Sequence, residues 1–350
     1  MIKEYVKFKD SVFTMDRWIN SPSGKLKIYL FNVTNAEELL SGRDEKVHLE
    51  QIGPITYKIN SHNYIINRTK DSLTYRKDPY RNFNFMPFES ISPDILNNTI
   101  VQLYLRINQV FTVNIGMKHG MENFFRIQTF KGERLISSFD WTSVSDDCAI
   151  NVQGAFDNSL FPPFITKNTS LNIMAFQLCR VIPLQYQREE ILHGLHGYRY
   201  VLMPPKETKC FSKVYGETLP KDMFDISNCV RMPWLEKVPT AFSAPHFYGS
   251  SYNWSEHFEG LNPNAEEHEP FILLEPTTGV KINERIRFQS NTILPDLRNM
   301  YNGLQRLSNK IVPNFWYEFE MDELPFNVRF IIFLNAYAIK DIFQKMLLIG

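Results

Sequence analysis

Apolar and polar positions alternate with a period of two in several short stretches of this chain, a pattern that predicts strands. From Asn98 to Ile107, Ile100, Gln102, Tyr104 and Arg106 share one face, and Val101, Leu103, Leu105 and Ile107 share the other. A helical stripe through Leu96, Ile100, Leu103 and Ile107 fits the same stretch. The alternation resumes from Val110 to Ile115, which favours strand. Lys25 to Val33 is rich in branched and aromatic residues, and Gln51-Ile-Gly-Pro-Ile-Thr-Tyr-Lys58 reads as extended with a kink at Gly53-Pro54. Further strands are predicted for Phe124 to Phe130, Tyr198 to Leu202, Phe271 to Leu274 and Lys281 to Asn291. Helical stretches are fewer: Met1 to Trp18, Asn35 to Leu40 with Asn35 as N-cap, Leu297 to Leu307, and Phe330 to Leu348 running toward a membrane. Twenty prolines and fifteen glycines punctuate the whole sequence without an internal repeat. The expected class is mostly β with some α.

Composition sharpens this picture. The 350 residues are 43% apolar and 22% charged, ordinary for a folded domain, but 28 Phe, 16 Tyr and 5 Trp make an unusual aromatic load suited to strands and large apolar interiors. Lys plus Arg balances Asp plus Glu at 38 each, so no basic excess points to nucleic acid. The most apolar stretch, Phe330 to Ile339, is interrupted by Asn335 and is shorter than the roughly 20 residues a membrane span needs. The charged N-terminus, with Lys3, Glu4, Lys7, Lys9 and Asp10, has no signal-peptide core.

Four cysteines, Cys148, Cys179, Cys210 and Cys229, include no C-x-x-C pair. They read either as buried thiols or as two disulfides of an oxidising compartment, with three pairings open. Five N-x-S/T sequons at Asn32, Asn67, Asn97, Asn168 and Asn253 favour the secretory route. Asn32, beside the apolar run Ile28 to Phe31, is expected to be partly buried.

Motifs for chemistry are sparse. No phosphate-binding Gly loop, H-E-x-x-H or G-x-S-x-G elbow occurs. His193 and His196 are spaced three apart, and His246, His257 and His268 have carboxylates nearby, but loop and core roles outweigh a metal or acid–base reading for both sets. Glu266-Glu267 and Asp322-Glu323 read as solvated loop faces rather than paired acids. No catalytic residue, metal ligand or cofactor is assigned, and the chain is not expected to be an enzyme. The aromatic excess reads either as core packing or as the lining of a lipid cavity.

A series of short motifs then gives a family resemblance. Phe224-Asp-Ile-Ser-Asn-Cys229, Ser243-Ala-Pro-His-Phe247, Gly260-Leu-Asn-Pro-Asn264 with His268, and Glu275-Pro-Thr-Thr-Gly279 resemble the class B scavenger receptors. So do Tyr29-Leu-Phe-Asn-Val-Thr-Asn-Ala-Glu-Glu38, Ile52-Gly-Pro-Ile-Thr-Tyr57, Phe161-Pro-Pro-Phe164 and Gly197-Tyr-Arg-Tyr200, all in family order. The resemblance implies a large irregular antiparallel β-barrel with an internal apolar tunnel and a few peripheral helices. It implies a glycosylated ectodomain held between two membrane spans that lie outside this sequence. Its cysteine framework falls on Cys148–Cys210 and Cys179–Cys229, with Ser212 where a further cysteine is expected.

On this resemblance, residues 1–345 form one ectodomain, residues 346–350 begin a C-terminal span, and the family's apical helical insertion is missing near 108–109. The implied function is a cell-surface receptor that binds fatty acids, carotenoids or lipoprotein lipids and passes them toward the membrane. A phagocytic or trafficking receptor for extracellular proteins, with an incidental tunnel, is the alternative. The expected location is the plasma membrane, with the lysosomal membrane second. The ligand-binding residues are not legible.

Overall fold

Alternation in the sequence becomes alternation across a sheet. The structure, a computed structural model, describes residues 18–19, 24–59, 62–78, 84–85, 109–136, 149–175, 178, 180–202, 219–220, 222–227, 239–300 and 303–338. In chain order the first strands are β1 (Gly24–Val33), β2 (Val47–Ile59), β3 (His62–Arg68), β4 (Ser72–Asp78), β5 (Asn84–Phe85) and β6 (Gln109–Asn114). They are followed by β7 (Ile127–Phe130), β8 (Leu135–Ile136), β9 (Ile150–Asn151), β10 (Leu171–Ala175), β11 (Arg180–Leu192) and β12 (Leu195–Leu202). The last are β13 (Phe224–Asp225), β14 (Thr240–Ser243), β15 (Phe258–Glu259), β16 (Phe271–Leu274), β17 (Lys281–Ile293) and β18 (Ile311–Met321). Among the described residues the α-helices include α1 (Ala36–Ser41), α2 (Ala265–His268) and α3 (Phe326–Phe333).

A 12-stranded sheet follows the order β10-β11-β12-β16-β17-β18-β1-β2-β15, with β14 on β17, β13 on β14 and β5 on β2. Neighbours are antiparallel except β15 with β2. Among the described residues this path is open. Its register puts two opposite chemistries on its two faces. Ile286 and Phe288 of β17 face Phe319 and Tyr317 of β18, which face Leu26 and Ile28 of β1, which face Tyr57 and Ile55 of β2. Arg285, Arg287 and Gln289 face Glu320, Glu318 and Trp316 on the reverse side. The β1–β2 register shifts between Ile28 and Leu30 at a bulge. Gly53 sits there at φ 132, where a Cβ would lie 2.8 Å from the Ile28 carbonyl oxygen, so only glycine fits.

A 4-stranded sheet, β3-β4-β6-β7, covers a second core. Phe111 and Val113 of β6 join Leu73 and Tyr75 of β4 and Phe124, Phe125, Ile127 and Phe130 beyond them. One buried carboxylate anchors this core to the next segment. Asp157 accepts from the Tyr75 hydroxyl at 2.6 Å, the Ser159 hydroxyl at 2.6 Å and the Lys77 ammonium at 3.3 Å. Burial pushes the Asp157 carboxyl up, but Lys77, Ser159 and Tyr75 outweigh it and hold it below the ordinary range.

Several expectations change. Phe124 to Phe130 is a strand only from Ile127, because Phe125 turns the chain with φ 61. Leu297 to Leu307 is no α-helix: one 3₁₀ turn, Leu304–Leu307, follows Gly303 at φ 83, and the preceding loop is tied by Leu297 N–H to Ser308 Oγ at 2.9 Å. Asn35 stands at the N-cap of α1 but makes no side-chain cap bond. Its amide instead donates to Asp44 at 2.8 Å and to the Lys46 carbonyl at 2.9 Å. The α3 helix starts at Phe326 and passes into a π-turn, Leu334–Ala338. The stretches Met1 to Arg17, Asn98 to Ile107 and 339–350 lie outside the described residues.

Asp157→Ala removes a buried acceptor and leaves Lys77 without its ion partner. It is expected to cost about 3–5 kcal/mol in denaturant unfolding. Glu189→Ala, in a solvent-exposed pair with Lys167, is expected to leave the unfolding midpoint essentially unchanged.

Candidate functional site

Eight adjacent strands of the large sheet, from β10 to β2, share the apolar face. Leu171 and Ile173 of β10 face Leu184 and Ile182 of β11, Tyr186 faces Tyr200 of β12, and Tyr200 faces Ile272 of β16. Part of this face is fully buried, including Ile182, Tyr200, Ile272 and Phe242. Leu26, Leu30, Tyr186, Tyr198, Leu202, Ile286 and Tyr317, on the same face, are only half-buried. The Tyr200 hydroxyl is buried and has no hydrogen-bond partner among the described residues. Burial raises its pKa, with Tyr198 and Tyr186 adding to the shift. The arrangement is an extended aromatic and aliphatic surface, suited to apolar contact rather than to bond chemistry.

The reverse face is a buried polar ladder. Arg287, 1% exposed, donates Nε to Glu318 at 2.6 Å, and its Nη1 donates to the carbonyls of Glu266 at 2.9 Å and Glu269 at 3.0 Å. Lys27 bridges Glu318 at 2.9 Å and Glu320 at 2.7 Å, and Arg199 reaches Glu269 at 2.8 Å while lying 3.6 Å over the Phe271 ring. Burial lowers the Arg287 pKa despite the opposing Glu318 charge. Charges this deep are tolerated because each is paired and the carbonyls of 266–269 complete the shell.

Beside the ladder, His246 and His268 lie with ring centroids 4.4 Å apart, against Trp316. His246 Nδ1 accepts from Asn262 N–H at 3.0 Å, so its Nε2 carries the proton and donates to Gln51 Oε1 at 2.7 Å. Trp316 Nε1 donates to the same oxygen at 2.7 Å. His268 Nδ1 accepts from Asn264 N–H at 3.0 Å. His246 has a left-handed backbone, φ 51, fixed by its N–H bond to Gln289 Oε1 at 2.7 Å. Burial pulls both imidazoles down to about 4, and for His246 the neighbouring His268 adds to the shift.

Motifs far apart in sequence meet in space. Phe161-Pro-Pro-Phe164 packs on Glu275-Pro-Thr-Thr-Gly279 through Phe164 N–H to Thr277 O at 3.2 Å and Ile165 N–H to Pro276 O at 2.8 Å. The buried Glu275 carboxylate organises that turn by accepting Thr277 N–H at 2.9 Å and Thr278 N–H at 2.7 Å. Ser243 to Phe247, Gly260 to Asn264 and His268 join Gln51 around the histidine pair. The pair was legible only as two separate histidines, because nothing in their spacing marks the contact.

Other sequence candidates are dispersed. His257 bonds the Tyr252 hydroxyl at 2.7 Å, and His193 sits at the β11–β12 turn 3.6 Å from Glu323. His196, Glu266, Glu267 and Glu323 are exposed, and Asp322 is half-buried. Asn32 is exposed rather than partly buried, near the far end of β1 opposite Glu50 of β2. Asn67, Asn168 and Asn253 are exposed as well. Asn97 and the four cysteines, Cys148, Cys179, Cys210 and Cys229, lie outside the described residues. No helix among the described residues is long and apolar enough to cross a membrane.

The histidine pair gives a pH dependence of stability. A folded-state pKa near 4, below the ordinary value of about 6.5, means the unfolded chain binds protons first as pH falls. Stability is full above about pH 6.5 and declines toward pH 4, by on the order of 1 kcal/mol or more at pH 5. Guanidinium unfolding at pH 7.5, 6 and 5 is expected to show this slope. His246→Gln with His268→Gln is expected to flatten it.

Comparison with known proteins places this geometry. The CD36 family model matches residues 1–106 and 104–350, two segments that meet at one point of the chain. Lysosome membrane protein 2 of Rattus norvegicus is 24% identical over 369 residues, covering 85% of this chain and 74% of that protein. Scavenger receptor class B member 1 of Bos taurus is 22% identical, covering 84% and 69%. Sensory neuron membrane protein 1 of Antheraea polyphemus is 31% identical over a shorter 166 residues, covering 46% and 30%. The rat alignment, 369 positions on 85% of a 350-residue chain, includes positions where this chain has no residue. With a family model that takes in its whole length and a mostly β fold that brings the shared motifs together, this chain belongs to the CD36 family.

Proposed function

We propose that this chain is the ectodomain of a membrane lipid receptor whose large sheet curls its apolar face around a passage for hydrophobic ligands. The observation that carries the reading is the partial accessibility of that face. Leu26, Tyr186, Tyr198, Ile286 and Tyr317 are half-buried although they continue the same surface as fully buried Ile182 and Ile272. A filled core leaves no such apolar residue half-covered on its inner side, whereas a passage does. An acyl chain entering it gains about 0.8 kcal/mol per methylene removed from water. Fatty acids, carotenoids and lipoprotein lipids fit this chemistry. No bond is made or broken, so the role is reception or transfer rather than catalysis.

The rest of the proposal follows from the same reading. Residues 1–345 form one ectodomain, lacking the family's apical helical insertion near 108–109. The meeting of the two family-matched segments at 104–106 supports that gap. Cys148–Cys210 and Cys179–Cys229 are disulfides that close loops of roughly 50 to 60 residues, worth about 4 kcal/mol each in the loop-entropy account. The bond from Arg180 Nη2 to Asp225 O at 2.6 Å joins residues one and four positions in sequence from Cys179 and Cys229, which supports the second pairing. Asn32, Asn67, Asn97, Asn168 and Asn253 carry glycans outside the cytosol. The plasma membrane is the first expected location, and the lysosomal membrane the second.

Lipid extracted from purified protein and identified by mass spectrometry tests the function. Wild type is expected to retain apolar lipid near one molecule per chain, and Leu26→Trp, which fills the face, is expected to reduce it severalfold. Wild-type protein without retained lipid overturns the reading. Capture of an extracellular protein that survives Leu26→Trp and fails on surface substitutions favours the phagocytic or trafficking role.

A further inference from the structure

Strand β17 carries two charged residues on the apolar face. Glu284 faces Ile272 of β16, which faces Tyr200 of β12, and Lys281 faces Leu274, which faces Tyr198. At this spacing on a regular strand they would point to opposite sides. A bulge between Leu273 and Leu274 turns both to the same side. Their side chains are 8% and 2% exposed. The Lys281 ammonium donates to Glu284 and, at 2.9 Å, to the Asn158 carbonyl, and the Asn158 amide donates to the same carboxylate. Asn158 Oδ1 is buried and has no hydrogen-bond partner among the described residues.

Stability does not explain this cluster. A buried ion pair is often no more stabilising than apolar residues of the same volume, and Ile272 and Leu274 beside it are fully buried. Nor is it needed to hold the Asn158 segment, which Asp157 already fixes through Tyr75, Lys77 and Ser159. An ammonium has one more N–H than the two bonds of Lys281 use. The cluster therefore offers one donor on Lys281 and one acceptor on Asn158, with the charges of Lys281 and Glu284 cancelling. A hydroxyl fits this set because it donates and accepts at once. A carboxylate has no proton to give Asn158 and would meet the Glu284 charge. A hydrocarbon would leave both groups bare, which is costly in an apolar site.

We propose that Lys281, Glu284 and Asn158 bind the head hydroxyl of a neutral long-chain lipid whose tail lies along the apolar face. The hydroxyl donates to Asn158 Oδ1 and accepts from Lys281 Nζ, and Glu284 positions both by accepting from each. Lys281 sits on a flexible stem that can swing to admit the head group. Half-buried Tyr198 and Ile286 continue the face beside the cluster. The proposal rests on the reading of that face as a ligand passage and names the head group the passage selects.

Displacement of a bound naphthylamine dye from the full chain at neutral pH, by dodecanol, dodecyl methyl ether and dodecanoate, tests this. Dodecanol is expected to bind about tenfold more tightly than the ether, which has no proton to donate, and dodecanoate no more tightly than the ether. Asn158→Gly removes the acceptor at φ 64, a backbone that glycine adopts without strain. It is expected to abolish the preference for the alcohol and leave ether binding unchanged. If that variant does not fold, the three ligands on wild type decide alone. Equal binding of dodecanol and ether, tighter binding of dodecanoate than of dodecanol, or a preference that persists in Asn158→Gly overturns the site and leaves the passage standing. No displacement by any of the three removes the passage, and the site with it.

Discussion

The structure depends on one sheet that must satisfy opposite chemistries on its two faces. Strands β17, β18 and β1 present Phe288, Tyr317 and Ile28 on one side and Arg287, Glu318 and Lys27 on the other. The first side needs only apolar neighbours. The second buries charge, which is stable only with full pairing and with backbone acceptors in the right place. The segment from 244 to 269 provides that cover. It brings the Glu266 and Glu269 carbonyls to Arg287, and it wedges His246 and His268 between Gln51 and Trp316. Without the cover, the charged face would be solvated and its ion pairs screened by water.

This division explains why the family's short motifs are spread along the chain. The SAPHF, GLNPN and IGPIT stretches are the pieces of the polar cover and the bulge beneath it. The FPPF and EPTTG stretches form one docked turn, where a Cβ on Gly279, at φ 72, would come within 2.2 Å of the Pro162 carbonyl oxygen. Such positions constrain residue identity strongly because backbone, hydrogen bond and space all act at one site. The apolar face constrains mainly hydrophobicity and size, so beyond Tyr198 and Tyr200 of the Gly197-Tyr-Arg-Tyr200 stretch it leaves little that a sequence can mark.

The sequence read well where one face met water and the other met core. Strand β6 follows its alternation closely, with burial alternating residue by residue. It read poorly where both faces are buried or where side chains replace regular structure. Strand β18 alternates Phe315, Tyr317 and Phe319 with Trp316, Glu318 and Glu320, but its glutamates look like solvent positions and are in fact beneath the cover. Leu297 to Leu307 reads as helix, yet Asp296 binds Arg298 on one side and Ser308 on the other, and only Leu304–Leu307 makes a 3₁₀ turn among its described residues. The aromatic face of α3 looked like part of an apolar run, and only the fold reveals that three of its rings point outward.

The central claim is that the apolar face bounds a ligand-accessible interior. Photolabelling with a diazirine-bearing fatty acid, followed by peptide mapping, tests it most directly. The account predicts labels on half-buried positions of the apolar face, such as Leu26 on β1, Tyr198 on β12, Ile286 on β17 and Tyr317 on β18. Labels confined to exposed surface residues, with these strands unmarked at saturating probe, would contradict it.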